Sequence, residues 1–318
     1  MAYDPGLVFE YEKARPGLKT GIPAEDHRRA LSEGQDVPEQ RPSFQIHLSE
    51  VGISGKTVWV SLPQGRLPFE AEIYVDLPED VRGIHMSRME QAIADLHEIN
   101  FDDPRQYALA LARDVLARQR GERAQVSVSG KIPLVRRTAV TDRLSVEALD
   151  LSAEVRVWRR PDGIAFQSLL GLSVRHITAC PCTQVYNQSV TQVRETGFPL
   201  ITHSQRSATR LRIEDADGRV SYEDLLECLE STLHVTQDLL KRPDEAEIVL
   251  QAHRYPQFAE DVVREVARET GRRMIDKVPP SAVVIIESHS LESIHIHDVR
   301  CALRTTLGEI SAALAETD

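Results

Sequence analysis

The sequence predicts an α+β protein built from two similar halves, each combining hairpin-linked strands with a pair of helices. Three observations lead to that class. Apolar residues alternate with polar ones at Leu67, Phe69, Ala71, Ile73, Val75 and Leu77, the period of a half-buried strand. Helical periodicity comes in blocks after pairs of strands, and the same order partly repeats in the second half of the chain. With 318 residues there is length for two domains or for one fold made of related halves.

Residues 1–42 are charged, carry five prolines and show no sustained period, so they are expected to form an irregular arm ordered against a partner subunit. A first half is expected over 43–160. Val58–Leu62 is the hairpin partner of the 67–77 strand. Ser87 and Glu90 have the spacing of a capping box ahead of Met89, Ile93 and Leu96. Asp103-Pro104 supplies an N-cap and a first-turn proline for a second helix through Tyr107, Leu111, Val115 and Leu116. Strands return at Ala124–Ser129 and Leu149–Val157, and Pro161-Asp162-Gly163 turns the chain.

The second half, 161–318, opens with a strand running towards Thr178. A strand at Ala208–Ile213 is closed by Asp215-Ala-Asp-Gly218, and a helix from Ser221 carries Leu225, Leu229, Leu233 and Leu240. Glu247–His253 reads as a strand, Val262–Val266 as a helix stopped by Gly271, Ala282–Glu287 as a strand and Val299–Leu314 as a terminal helix.

Composition narrows the function. There are 38 Lys+Arg against 49 Asp+Glu, a net charge of −11, which opposes a broad nucleic-acid surface but allows a local basic pocket. No apolar run approaches the ~20 residues of a membrane helix. The first residues hold acids and prolines and no apolar stretch, so neither a signal peptide nor membrane association is expected. Four cysteines are too few for a disulfide scaffold and suit a reducing, cytoplasmic setting.

The chemistry-bearing residues fall in five clusters. Cys180-Pro-Cys182 ends a strand; thiolates bind zinc or ferrous iron, although two partly buried thiols are an equally ordinary reading. His203-Ser-Gln-Arg206 puts an imidazole beside a guanidinium, suiting a metal ligand next to an anion site or simply a solvated turn. Lys241-Arg242-Pro-Asp-Glu245 resembles the basic end of a helix stopped by proline, with Glu245 opening the next strand. Glu292-Ser-Ile-His295-Ile-His297 would place both imidazoles on one face of a strand, fit for metal binding or proton transfer. His85 and Arg88 flank a helix N-terminus, a favourable place for phosphate. Together these residues are the inventory of a metal-assisted hydrolase acting on a phosphorylated substrate.

The series G-I-H-M-S-R at 83–88, A-C-P-C at 179–182, H-S-Q-R-S at 203–207, K-R-P-D-E at 241–245, Y-P-Q-F-A-E-D at 255–261 and E-S-I-H-I-H-D at 292–298 resembles the motif series of type IB GTP cyclohydrolases. That resemblance implies a tunnelling fold (T-fold) with two ββααββ-like halves, antiparallel sheets and helices on one face. It implies a homotetramer with sites at subunit interfaces, GTP as substrate, and hydrolysis at guanine C8 with loss of formate and closure to a dihydropterin for folate or related pterin synthesis. One divalent metal per site, Zn, Fe(II) or Mn(II), would be held by Cys180, His203 and Glu245. Glu260 would anchor guanine, Glu292, His295 and His297 would move protons alongside Cys180, and His85, Arg88, Arg206, Lys241 and Arg242 would meet the triphosphate.

Two departures bear on the product. The segment Thr183–Thr202 is long, as in the archaeal branch, which makes dihydroneopterin 2′,3′-cyclic phosphate instead of 7,8-dihydroneopterin triphosphate. Ser204 also stands where Asn is commoner. The triphosphate is the leading expectation. The cyclic phosphate is the nearest alternative, a nitrile reductase of the same fold a remote one, and a non-catalytic purine or pterin binder with a structural metal the alternative from another class.

Overall fold

A computed structural model describes residues 22–192 and 197–317. Its element order is α1 (Ala24–Glu33), β1 (Leu48–Leu62), β2 (Gly65–Leu77), α2 (Met86–Asp95), α3 (Pro104–Arg118), β3 (Arg123–Arg137), β4 (Leu144–Arg160), β5 (Gly163–Ala179), α4 (Pro181–Thr191), β6 (Ser204–Glu214), α5 (Tyr222–Glu230), β7 (His234–Val235), α6 (Arg242–Arg254), α7 (Ala259–Met274), β8 (Val283–Leu291), β9 (Val299–Thr306) and α8 (Leu307–Thr317). The long strands form one antiparallel sheet in the order β1-β2-β3-β4-β5-β6-β8-β9, with β7 pairing off β5. Period-two patterning is the cause: in β2, Phe69, Ala71, Ile73 and Val75 are buried while Glu70 and Glu72 are exposed.

Two apolar clusters cover the helix-bearing face. In one, Tyr107, Leu111 and Val115 of α3 and Met89 of α2 pack on β1–β4; in the other, Leu225 and Leu229 of α5, Val262 and Val266 of α7 and Ile310 of α8 pack on β4–β9. Strand β4 serves both, with Leu149 and Leu151 in the second cluster and Ala153, Val155 and Val157 in the first. The two are also tied by Arg105, at the start of α3, whose Nη1 lies 2.8 Å from Asp215 Oδ2 in the turn after β6. Asp215, 1% exposed, is further satisfied by the N–H of Val220 at 2.8 Å and of Gly218 at 3.0 Å.

Several elements differ from the sequence reading. Ala24–Glu33 is a helix, and residues 36–40 bind their own chain: the N–H of Arg82 donates to the Pro38 and Gln40 carbonyls. Residues 1–21 of the expected arm lie outside the described residues. The Ser87–Glu90 box does not form; His85 is the N-cap of α2 and Glu90 instead meets Lys56 at 2.9 Å. Helix α5 ends at Glu230, so Leu233 and Leu240 are not on it. Glu247–His253 is helical because 241–245 starts α6 rather than ending a helix. Pro243 sits in its first turn, and Asp244 accepts from the Lys241 N–H at 3.1 Å.

Gly271 does not stop α7, which runs on to Met274. A Cβ there would come 2.6 Å from Ile310 and 2.7 Å from Leu314, so the glycine permits close packing of α8. Val299–Thr306 is strand β9, paired with β8, and only Leu307 onward is helical. Residues 292–298 form the connection between β8 and β9, not a strand. The Pro161-Asp162 turn and the Asp103 cap stand as expected: Asp103 accepts from the Gln106 N–H at 2.9 Å.

Candidate functional site

Antiparallel order brings the end of β5, the start of β6, the end of β8 and the start of β9 together along one edge of the sheet, an edge made of strand ends and not of an outer strand. Cys180 is the N-cap residue of α4, with Pro181 in the first turn. Its N–H donates to the His203 carbonyl at 3.1 Å, and Thr202 Oγ1 donates to the Cys180 carbonyl at 2.7 Å. Pro181–Thr191 leads away as α4 and Leu200–Thr202 lies back beside it, so the two candidate ligands sit on neighbouring backbone. Gln184 of α4 and His253 of α6 hold the return: Gln184 Nε2 donates to the Leu200 carbonyl at 3.1 Å, and His253 Nε2 lies 3.3 Å from the Thr202 carbonyl.

The β8–β9 connection closes over this pair. The His203 and His295 rings meet edge-on with centroids 6.4 Å apart, and His295 stacks on His297 at 5.4 Å. The two imidazoles are neighbours as expected, but through a bent loop. Neither makes a hydrogen bond among the described residues, whereas His203 Nδ1 lies 3.1 Å from Gln205 Oε1. Glu292 is half-buried; its Oε1 accepts from Ser290 Oγ at 2.9 Å, and its N–H donates to Asp298 Oδ1 at 3.3 Å.

Glu260 is exposed in the first turn of α7 at the same edge. It is close enough to Cys301 on β9 to add to the effect of burial in raising that thiol's pKa. Arg206, third in β6, is exposed on the strand face opposite buried Ser207, level with Leu291.

Other expected site residues lie apart. Lys241, Arg242 and Glu245 are exposed at the N-terminal end of α6. That end is bound to the β3–β4 hairpin, where Asp244 accepts from the N–H groups of Val140 and Thr141 at 3.0 Å. At ~1.5 Å per residue, Glu245 is roughly 12 Å along α6 from His253. Cys180, His203 and Glu245 thus do not bring three ligand atoms within 4.8 Å of one another in the single chain. The thiol and imidazole suit a borderline divalent ion; the carboxylate is not beside them.

His85 and Arg88 lie past the end of β2, at the opposite edge of strands up to 17 residues long. His85 Nε2 is 3.0 Å from Glu39 Oε1 and 3.8 Å from Asp36 Oδ2, the one group of three such ligands within 4.8 Å among the described residues. Arg120 occupies Glu39 as well, at 3.1 Å.

Sequence reading missed a buried hydroxyl layer beneath the site. Thr178 Oγ1 lies 3.1 Å from Ser207 Oγ, His176 Nε2 lies 2.8 Å from Thr209 Oγ1, and Thr209 donates to Ser288 Oγ at 2.9 Å. Burial pushes the His176 imidazole down to about 4. The signal was available: the apolar alternation of Leu170, Leu172 and Val174 gives way to His176 and Thr178, and Ser207 with Thr209 and Ser288 with Ser290 occupy the same buried face of β6 and β8.

Comparison with known proteins agrees with this architecture. Residues 35–301 match the family model described as "Type I GTP cyclohydrolase folE2". The chain is 32% identical over 307 residues to a GTP cyclohydrolase MptA of Methanococcoides burtonii, covering 88% of this chain and 96% of that one. It is 29% identical over 309 residues to a GTP cyclohydrolase MptA of Methanothermobacter thermautotrophicus, again covering 88% and 96%. Among solved structures, a uricase from Bacillus fastidious superposes with a TM-score of 0.50 at 8% identity, over 86% of this chain and 97% of that one. The architecture is that of the tunnelling fold, and the chain belongs to the type I GTP cyclohydrolase folE2 family.

Proposed function

From that membership we propose that the protein hydrolyses GTP at guanine C8, releases formate and recloses the ring as a dihydropterin. The observation that carries the reading is the convergence of Cys180, His203, Glu292, His295 and His297, from three separate strand ends, on one edge. Cys180 and His203 would hold a divalent ion, with Glu245 reaching them only by a different arrangement of α6 or from another subunit. A metal in such a site supplies Lewis-acid polarisation of the substrate.

The protein's own groups do the remainder. Glu260 accepts the guanine N1–H and exocyclic amine. Glu292, held by Ser290 and Asp298, takes protons at the imidazole ring being opened, and the stacked His295 and His297 return them as the sugar rearranges. Arg206 meets phosphate from the neighbouring strand.

Of the other candidate phosphate contacts, Lys241 and Arg242 sit at the start of α6, while His85 and Arg88 stand at the far edge of the same sheet, which supports a site completed by a second copy, here a homotetramer. Helix α4 supports this too, having no buried residue and exposing Val185, Tyr186 and Val190 beside the site. The relatives from methanogens and the long spacer before His203 favour the cyclic phosphate over the triphosphate as product.

The test is to add Zn²⁺, Mn²⁺ or Fe²⁺ anaerobically to metal-free protein with GTP, and identify formate and the pterin by mass spectrometry. Formate with either dihydroneopterin phosphate supports the reading and names the branch. Folded, metal-loaded protein that releases none overturns it in favour of a binding protein.

A further inference from the structure

Among the described residues, Glu292 is the one of the three proton-handling candidates Glu292, His295 and His297 whose side chain is hydrogen-bonded to a buried group, and that group is Ser290. Ser290 is 2% exposed near the end of β8, and its Oγ donates to Glu292 Oε1 at 2.9 Å. Glu292 follows Leu291, the last residue of β8, and this bond ties its carboxylate back to the buried hydroxyl at the strand's end. Beneath it, Ser207 of β6 stands directly across from Ser290 and lies 3.1 Å from Thr178 of β5. A glutamate side chain has three torsions to fix, and a charge-assisted bond from a buried donor selects among their settings.

We propose that Ser290 is a positioning residue for the reaction: it aims the Glu292 carboxylate at the ring being opened. The proposal rests on the cyclohydrolase reading above. Ser288, two residues back on the same buried face and 1% exposed, bonds to Thr209 and not to Glu292, so it belongs to the same layer without the aiming contact.

The experiment compares formate release from GTP by the metal-loaded full chain and its variants. Ser290→Ala is expected to lower kcat by ~10–100-fold, the worth of one hydrogen bond to a charged group, with KM for GTP nearly unchanged. Ser290→Thr, which keeps the hydroxyl, restores most of it. Ser290→Cys, which keeps the volume with a weak donor, falls between and serves if the alanine variant does not fold. Ser288→Ala lowers Tm and leaves kcat. In a Glu292→Gln background, Ser290→Ala has no further effect on kcat.

A kcat within twofold of wild type in Ser290→Ala, or an equal loss in Ser288→Ala, overturns the positioning role while the cyclohydrolase reading stands. Wild-type protein that releases no formate overturns both.

Discussion

The two edges of the sheet carry the same kinds of side chain in opposite states. At the edge holding His85, polar groups are closed on one another. His85 meets Glu39, Arg120 meets Glu39 and Asp80, His47 meets Asp76 at 3.1 Å, and Gln119 bonds both the N–H and the carbonyl of His85. The hydrogen bond from His85, aided by Arg120, holds the Glu39 carboxyl below its usual range. At the edge holding Cys180, His295 and His297 are exposed and stacked with no hydrogen bond among the described residues, while the layer below is fully buried. One edge spends its charges on holding loops together; the other leaves His295 and His297 exposed above a buried, hydrogen-bonded floor.

The sharpest break of this contrast is at Glu292 and His295. Glu292→Gln or His295→Ala is expected to lower formate release by ~10²–10⁴-fold, the usual contribution of a general acid or base, while thermal melts stay near wild type. A large loss of stability instead would make the open edge structural.

Whether the edges cooperate can be tested by mixing. Arg88→Ala is expected to raise KM for GTP roughly tenfold through a lost charged contact to phosphate. Co-assembled with Glu292→Gln subunits and assayed at low GTP, it should recover activity above the sum of the two alone. No recovery would place the whole site within one chain.

The floor has its own signature in pH. His176 is lowered from 6.5 to about 4 by burial, so between those values the unfolded chain binds the extra proton. Stability is therefore full above about pH 6.5 and falls as pH drops towards 4, by up to ~3 kcal/mol. Thermal melts across that window should show a slope that His176→Gln flattens. The smallest effect belongs to the closed edge: Glu39→Gln removes only partly exposed pairs and should cost no more than ~1 kcal/mol in denaturant unfolding.

Elements with one buried face were legible in sequence because burial on one side writes a period of two or 3.6 into the chain. Strand β2, helix α3 and the turn at Pro161 are of that kind. Three segments were misread for definite reasons. The 241–245 motif carries both a proline and basic residues, signals that occur at either end of a helix, and only its contact with the β3–β4 hairpin shows which. Gly271 looked like a stop because its purpose, room for Ile310 and Leu314, lies some forty residues away. Val299–Thr306 has an apolar spacing compatible with either structure, and pairing with β8 decided for a strand.

The candidate site divides the same way. Residue chemistry placed Cys180, His203, Glu292, His295 and His297 among five candidate clusters, most with an ordinary alternative, and the resemblance to type IB GTP cyclohydrolases gave them roles. Neither could say that Glu245 would stand at the far end of α6, that His85 and Arg88 would occupy the opposite edge, or that Ser290 would brace Glu292. By itself the sequence determined the fold class, the alternating strands and the inventory of reactive groups, all of which are local properties. Only the tertiary structure decided which of those groups meet, because strand order and register set distances between residues far apart in the chain.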